Sequence, residues 1–166
     1  LGVFLAVPHI SARFPAWLIV HLLYRITVIG SEHIPRRGGA LIVVNHLSYA
    51  DPFLVGSAVP RFIHFLAHRR FSGRSLIGFA TGLMRAIPVS SKDGPRAILR
   101  SLDEAAQRAK EGHLVCIFAE GGISRTGNLL PFSKGLERIA QKGNVPILPM
   151  YLDRVWGSIF SFRGNR

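Results

Sequence analysis

Apolar residues in this chain come in short blocks separated by turn-forming stretches, and the spacing inside each block predicts its element. Residues 25–29 read as a strand, and Pro35-Arg36-Arg37-Gly38-Gly39 as a polar turn. Residues 40–44 form an uninterrupted apolar run, the pattern of a second strand, and residues 52–59 a short helix. Residues 62–66 predict a third strand, residues 75–84 an apolar helix, and residues 86–89 a further strand. Asp93-Gly94-Pro95 opens the clearest helix. Ile98, Leu99, Leu102, Ala105, Ala106 and Ala109 recur at helical spacing until Gly112 ends it. Residues 114–118 are a buried strand, 136–141 a helix, and 145–151 a last strand carrying two prolines. Strands alternating with helices predict an α/β fold, a layered sheet with helices. No internal repeat, low-complexity tract or linker divides it.

Residues 1–24 differ. They are strongly apolar, but Pro8, His9, Arg13, Pro15 and His21 interrupt them, so the run of about 18 apolar residues that a spanning helix needs is missing. The charged region that opens a signal peptide is absent too. Short helices lying in a membrane interface fit the pattern, with Phe14, Trp17 and Tyr24 as anchors. An amphipathic helix packed on the protein's own core, or the tail of a hydrophobic segment truncated upstream, fits equally well. The expected organisation is an apolar interface segment over 1–24 and one globular domain over 25–166.

Composition sharpens this picture. The 166 residues carry 21 Lys and Arg against 9 Asp and Glu, a net charge of +12. Mean hydropathy is nevertheless positive, at +0.28. A nucleic-acid binder is normally basic and hydrophilic, whereas a basic and apolar chain suits an anionic lipid surface. Arg61, Arg69, Arg70 and Arg74 interleave with Phe62, Phe65 and Phe71, a pattern that can stack single-stranded nucleic acid or meet phospholipid. The apolar average favours lipid, and no nucleic-acid partner is expected. The lone Cys116 excludes an internal disulfide and fits a reducing compartment. His64 and His68 are four residues apart, but a metal site needs at least a third ligand and none is evident, so no metal is expected. The chain starts without Met and stops at Arg166, as a domain cut from a longer protein would.

Two stretches carry chemistry. Residues 40–44 deliver His46 to a turn, and Asp51 follows after four intervening residues. A histidine that takes a proton with one ring nitrogen needs a partner for the other, and a carboxylate on the same turn can fix the tautomer and stabilise the imidazolium. No Ser or Cys nucleophile stands in an elbow motif, so His46 reads as a base acting directly on a bound alcohol. Asp51 before Pro52 also fits a plain helix N-cap, a reading that leaves His46 unexplained. The second stretch, Phe118-Ala119-Glu120-Gly121-Gly122-Ile123-Ser124-Arg125-Thr126-Gly127, follows directly on a buried strand. Its glycines allow close backbone approach to an anion, and Arg125 offers a planar fork to phosphate oxygens. Glu120 can orient that arginine or meet a hydroxyl, and Lys134 adds charge near a helix start. Taken alone, the stretch reads more readily as an ordinary surface loop with a Glu–Arg pair, because Gly-rich loops are common. It is neither a P-loop nor a dinucleotide fingerprint.

Together the two stretches, in this order, resemble the lysophospholipid acyltransferase family, which includes the 1-acylglycerol-3-phosphate O-acyltransferases. The resemblance rests on Asn45-His46 with Asp51, then Phe118, Glu120-Gly121, Ser124-Arg125, Gly127, Leu130-Pro131-Phe132 and Lys134-Gly135. Residues 82–89 with Ile87-Pro88, and Val145-Pro146-Ile147-Leu148-Pro149, look like its remaining blocks. The resemblance covers residues 25–152. It implies a glycerol-3-phosphate acyltransferase-like fold and an acyl chain passing from acyl-CoA or acyl carrier protein to the free hydroxyl of a lysophospholipid. His46 would be the base and Asp51 its orienting carboxylate. Glu120, Gly121, Ser124 and Arg125, with Lys134 and Arg85, would hold the acceptor and its phosphate. The thioester is a co-substrate and no resident cofactor is implied. A membrane-bound acceptor places such an enzyme at a membrane, the cytoplasmic face of the inner membrane being the expectation.

There are departures. Ile123 stands where many members have arginine, and Ser90-Ser91-Lys92 where an arginine often follows the strand, leaving Arg85 or Lys92 to supply that charge. Ile123, and Trp156-Gly157-Ser158-Ile159-Phe160-Ser161-Phe162 after the last strand, look closer to acyltransferase domains fused to an acyl–acyl-carrier-protein synthetase. Those reacylate 2-acylglycerophosphoethanolamine. A non-catalytic lipid-binding or membrane-tethering module is the competing expectation.

Overall fold

The computed structural model describes residues 8–69, 82, 84–90, 92, 94–158 and 160–162. In chain order the elements are α1 (Pro8–Leu23), a 3₁₀ turn (Ser31–His33), β1 (Ala40–Val44), α2 (Asp51–Ala58), β2 (Ile63–His68) and β3 (Ile87–Val89). There follow α3 (Pro95–Lys110), β4 (Leu114–Phe118), α4 (Lys134–Gly143) and β5 (Ile147–Met150). The five strands form one parallel sheet in the order β3-β2-β4-β1-β5.

The sheet is covered on both faces, which is why β1 and β4 read as unbroken apolar runs and are buried along their whole length. Alternation sends Ile42, Val44, Cys116 and Phe118 to one face, against Val55 and Val59 at α2. Leu41, Val43, Val115 and Ile117 point the other way, against Leu102, Ala105, Ala106 and Ala109 of α3 and Ile139 of α4. A stripe made mostly of alanine brings α3 close to the sheet, and Gly112 at φ 93° turns the chain out of it. Across the two helices Arg138 grips both oxygens of Asp103, at 2.8 and 3.0 Å. Pro88 and Pro149 fall in β3 and β5, the two edge strands, where a missing N–H leaves no ladder bond unmade.

Most predicted elements form, several with shifted ends: the helix expected at 136–141 runs Lys134–Gly143, and the strand expected at 62–66 runs Ile63–His68. The strand expected at 25–29 does not form. Its apolar residues share no single face: Ile26 packs with Val20, Leu47 and Leu54, whereas Val28 and Ile29 are exposed at 43% and 92%. The helix expected at 75–84 lies outside the described residues except for positions 82 and 84. Helix α1 rests on α2 through Val20 and leaves Phe14, Trp17, Leu18, Ile19, Leu22 and Leu23 exposed. Tyr24, expected beside Phe14 and Trp17 as a surface anchor, instead packs into the cluster of Val20, Leu47 and Val155 with its hydroxyl buried. Among the described residues, no helix is long and apolar enough to cross a membrane.

Candidate active site

β1 and β4 are neighbours, yet the chain leaves them in opposite directions. After β1 it passes to α2 on one face, and after β4 to α4 on the other. Such a reversal opens a crevice at the carboxyl ends of the two strands, the usual ligand position in parallel α/β sheets. His46 lies two residues past the end of β1, and Glu120 two residues past the end of β4.

The His46 turn is built around one oxygen. Asp51 is fully buried, and its Oδ2 accepts the amides of Leu47 at 2.6 Å and Ser48 at 2.9 Å. His46 Nδ1 lies 2.8 Å from the same atom. Backbone amides only donate, so Oδ2 is an acceptor, and Nδ1 is the donor that carries the ring proton. The lone pair therefore sits on Nε2, which has no hydrogen-bond partner among the described residues. Phe118 stacks on the imidazole with centroids 4.0 Å apart and fixes its plane. The ring is 16% exposed, enough for a substrate to reach it. Asp51 does not cap its own helix: Ala50 is the N-cap residue, and the carboxylate turns back to the preceding chain. The other carboxylate oxygen, Oδ1, is buried without a partner among the described residues.

The glycine-rich loop is laced to this turn. One oxygen of Glu120 accepts the amide of His46 at 2.8 Å, and the other accepts the amide of Leu130 at 2.8 Å. Ser124 donates its amide to the His46 carbonyl at 2.8 Å, while its buried hydroxyl donates to Asn128 O and accepts from Gly127 N. Glu120 and Ser124 thus spend their polar atoms on the backbone and shape the loop. Gly121, at φ 68°, turns the chain back on β4 and donates its amide to Phe118 O. Arg125 and Lys134 are exposed on this side, Arg125 with its guanidinium 5.4 Å over the ring of Phe162, and Lys134 as the first residue of α4. His46, Asp51, Glu120, Gly121, Ser124, Arg125 and Lys134 are thus gathered at one edge. Arg85 is not. It precedes β3, three strand positions from β1, and its carbonyl faces His64 near the amino end of β2. Lys92 stands past the carboxyl end of β3, on the same edge as His46.

Two residues of the blocks that carry the resemblance, given no role of their own there, also shape the site. Phe118 stacks on His46, and Asn45 uses its side-chain amide to hold both the N–H and the C=O of Leu152, at 2.7 and 3.1 Å. No cluster of three or more metal-ligating side chains occurs among the described residues. His64 is buried next to Arg108, which donates to its Nδ1 at 2.9 Å. That nitrogen also lies 3.2 Å from Arg85 O, but a guanidinium can only donate, so Nδ1 is an acceptor and carries no proton. Burial, with Arg108 adding to it, holds the His64 pKa below its ordinary value.

Residues 25–153 match the Acyltransferase family. The chain belongs to this family. Among curated members, a 1-acyl-sn-glycerol-3-phosphate acyltransferase of Cocos nucifera is 32% identical over 158 residues, 95% of this chain and 48% of that protein. The enzyme of the same name from Bacillus subtilis is 29% identical over 134 residues, covering 80% of this chain and 64% of that one. The crystal structure of the 1-acyl-sn-glycerophosphate acyltransferase PlsC from Thermotoga maritima shares this acyltransferase fold. Its TM-score is 0.67 at 26% identity, over 89% of this chain and 64% of that one. The chain spans about half the length of the Cocos nucifera relative.

Proposed function

We propose that this acyltransferase domain transfers an acyl chain from a thioester to the free hydroxyl of a lysophospholipid, with lysophosphatidate (1-acylglycerol-3-phosphate) as the acceptor to test first. The observation that carries this reading is the His46–Asp51 pair, with Nδ1 protonated toward a buried carboxylate and Nε2 open to the crevice. Nε2 takes the proton of the acceptor hydroxyl as its oxygen attacks the thioester carbonyl. The tetrahedral adduct collapses, the C–S bond breaks, and the imidazolium returns the proton to the departing thiolate. Asp51 stabilises the imidazolium between these steps. Arg125 and Lys134 supply positive charge for the acceptor phosphate. The donor is acyl-CoA or acyl carrier protein. The exposed apolar side chains of α1 suit contact with the bilayer holding the acceptor, at the cytoplasmic face of the inner membrane.

The test is acyl transfer from both donors to a panel of lysophospholipids that includes 2-acylglycerophosphoethanolamine, wild type beside His46→Ala. Transfer by wild type, with the variant at background, is the expected result. Equal transfer by both proteins refutes the base. No transfer by either, with vesicle binding retained by both, makes the chain a tethering module instead.

A further inference from the structure

The family match ends at residue 153, but the chain does not leave the site there. Asn45 grips Leu152, and the segment that follows runs back over both functional loops. Ser161 bridges Ser48 in antiparallel fashion, and Tyr49 donates its amide to Phe160 O at 3.2 Å, two to three residues from His46. Trp156 lies flat on the loop at Gly127, where a Cβ built on that glycine would stand 2.8 Å from the indole. Phe162 sits between the two loops, 5.7 Å from the Tyr49 ring on one side and 5.4 Å from the Arg125 guanidinium on the other. The segment is stiffened from within: the buried Ser161 hydroxyl donates to Ser158 O and accepts from Gly157 N, both at 2.9 Å.

We propose that residues 155–158 and 160–162 belong to a strap that sets acceptor affinity, with Phe162 as a positioning residue acting through Arg125. An arginine on an exposed loop loses side-chain entropy whenever it binds an anion. Resting on an aromatic face, the guanidinium is ordered in advance while its N–H edge stays free, because cation–π contact uses the plane and phosphate uses the rim. The strap also ties the loop bearing Arg125 to the turn bearing His46, so the distance from anion site to base is fixed. This inference rests on the reading of Arg125 as the acceptor's phosphate contact.

The test uses lysophosphatidate as acceptor and compares Phe162→Ala, Phe162→Leu and Phe162→Trp with wild type in acceptor KM, donor KM and kcat. The acceptor KM rises about threefold to tenfold in Phe162→Ala and Phe162→Leu, at a kcat within twofold of wild type, and Phe162→Trp restores it. In an Arg125→Ala background, Phe162→Ala adds less than twofold. The same ordering is expected for equilibrium binding of lysophosphatidate to the His46→Ala protein, a readout that needs no turnover. A wild-type acceptor KM and affinity in Phe162→Leu, or effects of Phe162→Ala and Arg125→Ala that multiply independently, overturn the proposal. An Arg125→Ala protein that binds the acceptor as tightly as its parent overturns the phosphate reading of Arg125 itself. Absence of acyl transfer in wild type overturns the enzymatic reading alone, since the binding series still decides the role of Phe162.

Discussion

Replacing Asp51 with asparagine separates what its carboxylate does by shape from what it does by charge. Three N–H groups converge on Oδ2: two amides and the His46 ring. An asparagine at this position places its carbonyl oxygen there, because the flipped amide would oppose three donors with two more. The ring therefore keeps its tautomer, unlike triads in which the amide turns its NH₂ to the histidine and inverts it. What disappears is the negative charge facing the imidazolium. For unit charges about 4 Å apart at an effective dielectric near 20, the attraction is about 4 kcal/mol. At roughly 1.4 kcal/mol per decade, kcat falls about a thousandfold. The new NH₂ falls on the buried Oδ1 position, where the carboxylate oxygen has no hydrogen-bond partner among the described residues; a donor left unpaired there makes unfolding easier by about 1–3 kcal/mol. The assay is thiol release under saturating acceptor, paired with urea unfolding. A folded Asp51→Asn protein with kcat within fivefold of wild type refutes the electrostatic role.

Three further outcomes follow from the geometry. Glu120→Gln turns one oxygen into a donor facing either the His46 or the Leu130 amide, costing about 2 kcal/mol in urea unfolding and lowering kcat through displacement of His46; unchanged stability refutes the lacing role. Gly127→Ala combines φ +82° with a clash on the Trp156 ring, for a loss of about 1–3 kcal/mol, read as a Tm drop of roughly 2–4 °C per kcal/mol; an unchanged Tm refutes the packing. His64 has its pKa below the ordinary 6.5, so the unfolded chain binds its proton first. Its contribution is complete above pH 6.5 and is lost as pH falls from there through the folded-state value. The wild-type minus His64→Leu difference in unfolding free energy should fall between pH 7 and pH 5. A flat difference refutes it.

How far the sequence reveals this molecule depends on the range of the contact concerned. β1 and β4 are legible to the residue because burial on both faces leaves no polar position to blur their ends. α3 is legible because its alanine stripe, its opening proline and Gly112 agree. The His46–Asp51 contact is legible because six consecutive residues of one turn contain it. Asp51 is harder to assign, since the Asp-Pro pair that reads as a cap here starts a helix whose capping position is Ala50. Glu120 reads toward Arg125 or a hydroxyl because its actual partners, His46 N and Leu130 N, are backbone groups, and backbone groups leave no mark in a sequence. Residues 25–29 have the composition of a strand, but only Ile26 among them packs, against Leu47, Val20 of α1 and Leu54 of α2, while Val28 and Ile29 stay exposed, so propensity lost to tertiary context.

The use of the two carboxylates explains the electrostatic character of the crevice. Asp51 directs one oxygen to three N–H groups, and Glu120 divides its oxygens between two amides, so both negative charges are turned into the protein. Arg125 and Lys134 stay exposed at the same edge, in a chain whose net charge is +12. A hydroxyl approaching His46 therefore meets an open Nε2 flanked by positive charge. In the proposed transfer, that favours an anionic acceptor, and it favours the negative charge that would build on the thioester oxygen as the adduct forms. Carboxylates left free at this edge would repel both. The same lacing fixes the loop that carries Arg125 to the turn that carries His46, so one set of backbone hydrogen bonds governs both the geometry of the imidazole and the sign of the field around it.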